Sequence, residues 1–199
     1  MMLTHKGTKT IETDRLILRQ FTMEDAPAMF RNWANDDEVT KHLTWPTHSD
    51  VEVTKMVLSD WTSHYAKPDF YNWAIVLKEN GGEPIGNISV VRINHSTECA
   101  AMGYCMSRAH WRKGVMPEAL KAVVDFLFDE VGFNRIEAEH DVNNPASGRV
   151  MEKAGLRYEG TLRQSGRNNQ GIVELVWRAI LRSDWEKDIT GQESEDSKP

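Results

Sequence analysis

The sequence lacks any apolar run of about 18 residues, the length that a membrane-spanning helix requires. Its start, MMLTHKGTKTIETDR, also lacks the apolar core of a secretory signal, so we expect a cytoplasmic protein. Cysteine is scarce: only Cys99 and Cys105 are present, and no Cys/His cluster has the spacing of a zinc site. We therefore expect two buried thiols, with neither a disulfide framework nor a metal.

The chain has no excess of positive charge, because its 24 Lys and Arg are outnumbered by 30 Asp and Glu, which gives a net charge of −6. Proteins that bind nucleic acid carry dense basic patches, so this balance argues against direct nucleic-acid binding. The acidity would attract a cationic substrate, although solubility alone also explains it. With 199 residues, 40% of them hydrophobic, the chain has the size of one domain with one core.

Residue periodicity predicts the element order β-α-α-β-β-β-α-β-α-β-β. Strands are expected at 15–19, 71–77, 83–93, 98–107, 135–142, 157–165 and 172–181. Helices are expected after Thr22 and at 50–65, 117–131 and 145–154. Runs of strands joined by two helical crossovers indicate a mixed-sheet α/β (α+β-like) domain over residues 1–185. From Ile189 onward almost nothing apolar remains, so residues 186–199 are predicted to form a disordered tail.

The strongest local signal of chemistry is WRKGVMPEA, residues 111–119, between a predicted strand and a predicted helix. A helix N-terminus offers unpaired backbone N–H groups and the positive end of the helix dipole, which suit a phosphate. Gly114 allows the backbone to approach an anion closely. A plain turn before a helix that begins at Pro117 explains the same residues. Neither a Walker loop nor a three-glycine dinucleotide fingerprint is present.

A second signal is NPASGRVMEKAG, residues 144–155. Asn144 before Pro145 is a ready N-cap, and Gly155 suits the C-cap, so helix capping alone accounts for much of this pattern. A helix N-terminus can, however, be capped and still face a ligand.

In this order and separation, the two segments resemble the cofactor-binding half of RimJ/RimL-like acetyltransferases of the GNAT superfamily. The opening TDRLILRQFTMEDAPAMFRNWANDDEV resembles that family's first strand and helix, and IVELVWRAILRSDW resembles its closing strand. The resemblance implies a mixed, mostly antiparallel central sheet with helices on both faces. It implies acetyl-CoA as cosubstrate and direct transfer to a primary amine, either a protein N-terminus or a small molecule, in a ternary complex. A homodimer is a further expectation from the family.

The resemblance also assigns site residues. The loop residues expected to wrap the CoA pyrophosphate are Arg112, Lys113, Gly114, Val115, Met116 and Pro117. Pro117 can donate no backbone hydrogen bond, so the N–H groups around it must supply the contacts. The strand residues expected to pair with pantetheine are Cys105, Met106 and Ser107. Asn144 would anchor the cosubstrate or a water, and Ser147 would be the general acid near the sulfur.

No general base stands out. Many GNAT enzymes carry a Glu where Ala101 stands here, and Glu98 lies three residues earlier. The remaining acidic candidates are Glu137, Glu139 and Asp141, which alternate along one predicted strand, and Glu174. A solvated strand face explains the alternating group equally well. By analogy with the family, the border of the acceptor site is expected at Trp45 and Pro46, flanked by His42 and His48.

Two other functions stay open on the sequence. Because the Glu is missing, the chain could be a non-catalytic acyl-CoA sensor that kept the cofactor site. A generic nucleotide-phosphate protein is the other alternative, but the metal-binding Ser/Thr and Asp that it requires cannot be placed.

Overall fold

A computed structural model describes residues 3–79 and 81–187; the predicted tail lies outside these residues from position 188 onward. Eight strands of this part form one sheet in the order β1-β2-β3-β4-β5-β6-β8-β7. They are β1 Ile11–Glu12, β2 Leu16–Arg19, β3 Asn72–Leu77, β4 Pro84–Asn94, β5 Cys99–Met106, β6 Arg135–Asp141, β7 Arg157–Asn168 and β8 Gly171–Leu181. All neighbouring pairs are antiparallel except β5 and β6, which confirms the predicted mixed, mostly antiparallel sheet.

Helices cover both faces of the sheet. They are α1 Ala26–Met29, continued by a wide π-type turn at Phe30–Ala34, α2 Asp37–Thr40, α3 Val51–His64, α4 Val115–Phe126, continued at Leu127–Val131, and α5 Pro145–Lys153. Residues 182–187 add a last helical turn. No helix in the described part of the chain is long and apolar enough to cross a membrane.

Strand β3 shows how the sheet divides the core, because all six of its residues are buried. Successive side chains of a strand point to opposite faces. Trp73 and Ile75 join the core under α4 and α5, whereas Ala74 between them joins the core under α1 and α3. The sheet is therefore the middle layer of three, and each face has its own apolar cluster.

Helix α4 begins at Val115, two residues before the predicted start at Pro117. Gly114 is its N-cap and adopts a left-handed conformation, φ +77°. Pro117 becomes the third helical residue, where the missing N–H costs nothing because the N–H groups of the first turn have no partner within the helix. The left-handed Gly114, and not the proline, sets the start of α4.

Both cysteines are free and buried, as the sequence predicted. Burial raises the pKa of the Cys99 thiol to about 11 and that of Cys105 to about 12. Neither thiol is therefore a ready nucleophile at neutral pH.

The core under α4 gives a direct test of the packing. Leu120 is fully buried in that core, so Leu120→Ala should lower the free energy of unfolding by about 3 kcal/mol through lost burial and a residual cavity. The neighbouring Lys121 is 58% exposed, and Lys121→Ala should cost less than about 0.5 kcal/mol. Urea unfolding measures both. Equal losses in the two variants would contradict the assigned direction of this helix face.

Candidate active site

A cleft opens in the middle of the sheet where its two parallel strands part. β5 and β6 pair only from Cys99–Met102 to Arg135–Ala138. Beyond that point β5 still pairs with β4 as far as Met106, and β6 still pairs with β8 as far as Asp141. The inner edges of β5 at 103–106 and of β6 at 139–141 therefore face each other without backbone hydrogen bonds between them. We call the space between these edges the cleft; it leaves backbone groups free to pair with an extended ligand.

Helix α5 lies against the cleft and begins as the sequence predicted. The Asn144 side chain accepts a hydrogen bond from the Ser147 N–H at 3.3 Å and so caps the helix. This cap places Ser147 in the first turn of α5, six residues after β6 ends at Asp141.

Tyr104 reaches across from β5 to the start of α5. Its hydroxyl lies 2.9 Å from the Ser147 hydroxyl and 3.1 Å from the Ser147 carbonyl oxygen. Burial raises the pKa of Tyr104, and the bond to Ser147 offsets this only in part, so the phenol stays neutral. The two hydroxyls form a short chain at the edge of the cleft. Ser147 was predicted from the sequence, whereas Tyr104 was not; a tyrosine near the end of the predicted strand was the available signal.

The loop before α4 has the backbone shape of an anion-binding nest. Arg112 and Gly114 both have left-handed φ angles, +62° and +77°. The N–H groups of residues 112–116 have no hydrogen-bond acceptor in the described part of the chain. Alternation of left-handed and ordinary residues turns such N–H groups toward one point, and the start of α4 adds its dipole.

Side chains hold this loop in place. Arg15 donates to the Lys113 carbonyl oxygen at 3.0 Å and to the Glu118 carboxylate through Nε at 2.7 Å. Trp111 Nε1 donates to the Met106 carbonyl oxygen at 2.8 Å, which ties the loop to the end of β5. The nest therefore lies next to the cleft.

The other predicted strand residues differ in what they can offer. The Cys105 thiol turns away from the cleft-side helices and donates to Asn87 Oδ1 at 3.2 Å, so only its backbone remains for a ligand. The Ser107 N–H is already bonded to the Ile85 carbonyl oxygen at 2.9 Å. Pro117 lies within α4 and has no N–H.

The segment of residues 36–48, here called the crossing segment, spans the open end of the cleft. At one end Arg108, just after β5, donates to Asp36 at 2.6 Å. Further along, His42 Nδ1 lies 2.9 Å from a carboxylate oxygen of Asp141, the last residue of β6. The segment therefore connects the two strands that part below it.

The turn between β7 and β8 supports the crossing segment from the outside. Asn169 donates through its side chain to the Thr40 and Trp45 carbonyl oxygens, both at 2.8 Å, and its N–H donates to the Leu43 carbonyl oxygen at 3.1 Å. His48, in contrast, is buried and bonded to Thr54 at 2.8 Å, and burial lowers its pKa. His42 and Trp45 thus lie in the crossing segment near the cleft, whereas His48 packs beneath α3.

Acidic side chains line one face of β6, as their alternation indicated. Glu137 is paired with Arg92 at 3.1 Å and with Arg135 at 3.0 Å, so it is a structural partner. Glu139 lies beside the cleft, and desolvation raises its pKa against the opposing effect of Arg92. Asp141 is buried and engaged by several donors.

The remaining acidic candidates lie elsewhere. Glu98 precedes β5, at the end of the strand opposite to the cleft, and Ala101 lies where β5 and β6 still pair. Glu174 is on β8, where its carbonyl oxygen accepts the Val142 N–H at 3.1 Å. In residues 3–79 and 81–187, no three His, Cys, Asp or Glu side chains are grouped to hold a metal ion.

Comparison with known proteins agrees with this geometry. Residues 15–157 match the family described as "Acetyltransferase (GNAT) domain". The uncharacterized N-acetyltransferase YoaA of Bacillus subtilis (strain 168) is 34% identical over 154 residues, 77% of this chain and 86% of that protein. The ribosomal-protein-serine acetyltransferase of Escherichia coli (strain K12) is 29% identical over 136 residues, 66% of this chain and 72% of that protein.

Among solved structures, the microcin C7 self-immunity acetyltransferase MccE, in complex with acetyl-CoA and AMP, superposes with a TM-score of 0.76. The superposition covers 85% of this chain and 93% of that one at 17% identity, so it supports the fold alone. The E. coli relative agrees with the RimJ/RimL-like branch that the sequence motifs indicated. Taken with the parted strands and the loop before α4, the matches show that the chain belongs to the GNAT acetyltransferase family.

Proposed function

We propose that the protein transfers an acetyl group from acetyl-CoA directly to a primary amine while both substrates are bound. The observation that carries the proposal is the cleft between β5 and β6, with the nest at residues 112–116 just beyond the end of β5 and the Tyr104–Ser147 hydroxyl pair at the edge of the cleft. An anion site, an unpaired strand edge and a proton donor are thus neighbours.

The described residues fit acetyl-CoA. The free N–H groups of residues 112–116 would hold the pyrophosphate, since they lie at the N-terminal, positive end of α4. The inner edge of β5 at 103–106 would pair with the amide groups of pantetheine. Arg112 and Lys113, both exposed, would add positive charge in an otherwise acidic chain. Bound there, acetyl-CoA supplies an acetyl group activated as a thioester.

The chain's own groups would then act on the two ends of the breaking bond. A free N–H on the inner edge of β5 would donate to the carbonyl oxygen, a type of contact that contributes about 3–4 kcal/mol to catalysis. Ser147, with the neutral Tyr104 hydroxyl behind it, would donate a proton to the departing sulfur. A simple thiol has a pKa of about 8.5, so this proton donation would contribute only about 100-fold, the lower end of what general acid catalysis supplies.

Direct transfer is favoured over an acetylated enzyme because the cysteines are poorly placed. The Cys105 thiol points into the α1–α3 core, and burial raises its pKa to about 12. Cys99 lies where β5 and β6 still pair. With both reactants held at the cleft, proximity supplies much of the acceleration.

The acceptor would be a cationic amine, since Glu139 and Asp141 line the face of β6 below the crossing segment. The E. coli relative is named for ribosomal-protein serine, which makes a peptide with N-terminal serine the first acceptor to test. Spermidine represents the small-amine alternative.

Thermal melting with acetyl-CoA, CoA and ATP tests the cosubstrate. A ligand at 100 times its dissociation constant stabilises the folded state by about 2.7 kcal/mol, so acetyl-CoA and CoA should raise the melting temperature and ATP should not. Amine-dependent release of CoA-SH would then exclude a non-catalytic sensor. No shift at millimolar acetyl-CoA would refute the proposal, and an equal shift with ATP would favour the nucleotide-phosphate alternative.

A further inference from the structure

We propose that His42 is the general base that takes a proton from the acceptor's ammonium group, and that Asp141 positions it. This assignment rests on the proposed acetyl transfer, and it names the proton acceptor that the sequence left open. Neither residue belongs to the cosubstrate site described above.

The carboxylate of Asp141 fixes the imidazole ring. His42 Nδ1 lies 2.9 Å from Asp141 Oδ2, and the two side chains are 20% and 2% exposed. Asp141 also accepts the Asn143 N–H at 2.8 Å and the Asn168 side-chain amide at 2.8 Å. Burial opposes ionisation, but the hydrogen bonds from Asn143, His42 and Asn168 outweigh it and hold the pKa of Asp141 below its ordinary value.

An ionised carboxylate accepts hydrogen bonds and donates none, so Nδ1 of His42 must carry the proton. The lone pair of the neutral ring is then on Nε2. That atom has no hydrogen-bond partner in the described part of the chain, and it is not among the buried unpaired polar atoms. In His140 and His5, by contrast, Nε2 is buried without a partner. His42 thus has an accessible basic nitrogen, Nε2, on a ring that Asp141 orients through Nδ1. A general base requires this arrangement.

The position of His42 matches the side from which an acceptor must arrive. Helices α4 and α5 cover one face of the sheet at the cleft, and Tyr104 and Ser147 close that side. The amine must therefore enter from the opposite face, where the crossing segment holds His42 at the end of β6.

The reaction needs such a group because amines are protonated at neutral pH. Ordinary pKa values are about 8 for a chain N-terminus and about 10.4 for a lysine, and the ammonium form has no lone pair. Nε2 of His42 takes the first proton, which leaves a neutral amine and an imidazolium. The amine nitrogen bonds to the acetyl carbon as the C–S bond breaks. The second proton of the nitrogen ends on the sulfur, giving CoA-SH, and the imidazolium returns its proton to solvent.

The charged residues on the elements around His42 bear on any pH dependence. The crossing segment carries Asp36, Asp37, Glu38 and Lys41, and β6 carries Arg135, Glu137, Glu139 and Asp141. The last two strands carry Arg157, Glu159, Arg163 and Arg167 on β7, and Glu174 and Arg178 on β8. Of these, only Asp141 is hydrogen-bonded to the ring.

His42→Asn separates a chemical role from a structural one, since the asparagine amide can still donate to Asp141 but has no basic nitrogen. With a serine-initiated peptide, kcat/KM should fall on the order of 10²–10³-fold, and the acidic limb of its pH profile should disappear. Hydroxylamine, already neutral at pH 7, should be acetylated at nearly the wild-type rate. Acetyl-CoA affinity should not change. His64→Asn is the matched control, because this histidine at the last position of α3 also lies near a carboxylate, that of Asp60 at 3.5 Å, but outside the cleft.

Nitrogen NMR of the histidine-labelled full chain gives a readout without any substrate. The neutral ring of His42 should carry its proton on Nδ1, and Asp141→Asn should abolish this preference. A proton on Nε2 in the wild type, equal losses with peptide and hydroxylamine, or wild-type turnover by His42→Asn would each overturn the assignment. If acetyl-CoA binds but the wild type acetylates neither acceptor, the proposed function fails, and the NMR result still decides the state of His42.

Discussion

Gly114→Asp should weaken acetyl-CoA binding by about 100-fold, whereas Gly114→Asn should weaken it only severalfold. The two side chains have nearly the same shape, and both residue types tolerate the left-handed conformation that position 114 requires, φ +77°. A Cβ there would meet only the flexible end of Arg15, at 3.4 Å. The difference between the variants therefore isolates the added negative charge.

The expected size follows from electrostatics. Two like charges 4 Å apart repel by about 4 kcal/mol at an effective dielectric constant of about 20, and solvent exposure of this loop reduces that figure. A net loss of about 2.7 kcal/mol corresponds to 100-fold in affinity. Isothermal titration with acetyl-CoA measures it, and melting without ligand checks that both variants fold. Equal losses in the two variants would mean that conformation, and not charge, governs the loop, and a normal affinity in Gly114→Asp would remove the pyrophosphate from this nest.

Ser147→Ala should lower kcat on the order of 10²-fold, and Tyr104→Phe on the order of 10-fold, with the affinity for acetyl-CoA unchanged in both. The reason is that the two hydroxyls, 2.9 Å apart, would deliver one proton to one sulfur. Because they act as a unit, the double variant should be no slower than Ser147→Ala by more than about twofold.

Steady-state release of CoA-SH measures these losses, and Tyr158→Phe is the matched control because Tyr158 is exposed on β7 and bonds only locally to Thr161. Multiplying losses in the double variant would show that Tyr104 and Ser147 serve separate steps. An unaffected kcat in Ser147→Ala would mean that the sulfur leaves without help from this side chain.

The sequence predicted the features that depend on short stretches of chain. Asn144 and Pro145 define the start of α5 because capping involves only residues within one turn. Alternating apolar residues located β2 to β8, whereas the two-residue strand β1 was not predicted. The start of α4 was missed by two residues, because the proline is compatible with the first and the third helical position alike.

What the sequence could not predict is separated along the chain. Tyr104 and Ser147 are 43 residues apart, and His42 and Asp141 are 99 residues apart. No periodicity links such pairs; they meet because β5 and β6 part and the crossing segment spans the gap. The three acidic residues of β6 looked equivalent in sequence. Only their partners distinguish a salt-bridged Glu137, an open Glu139 and an Asp141 that holds a histidine.

Because β5 and β6 part within the sheet, elements of both faces border the cleft. On the proposed function the two substrates therefore approach from opposite faces and meet only at the atoms that react. The loop at 112–116 belongs to one face, and the crossing segment with the Asn169 turn belongs to the other. Substitutions in the crossing segment or the Asn169 turn can thus change which amine is accepted without changing the affinity for acetyl-CoA. With the two binding surfaces on separate faces, proteins of this fold could differ in their acceptor amines while all use acetyl-CoA.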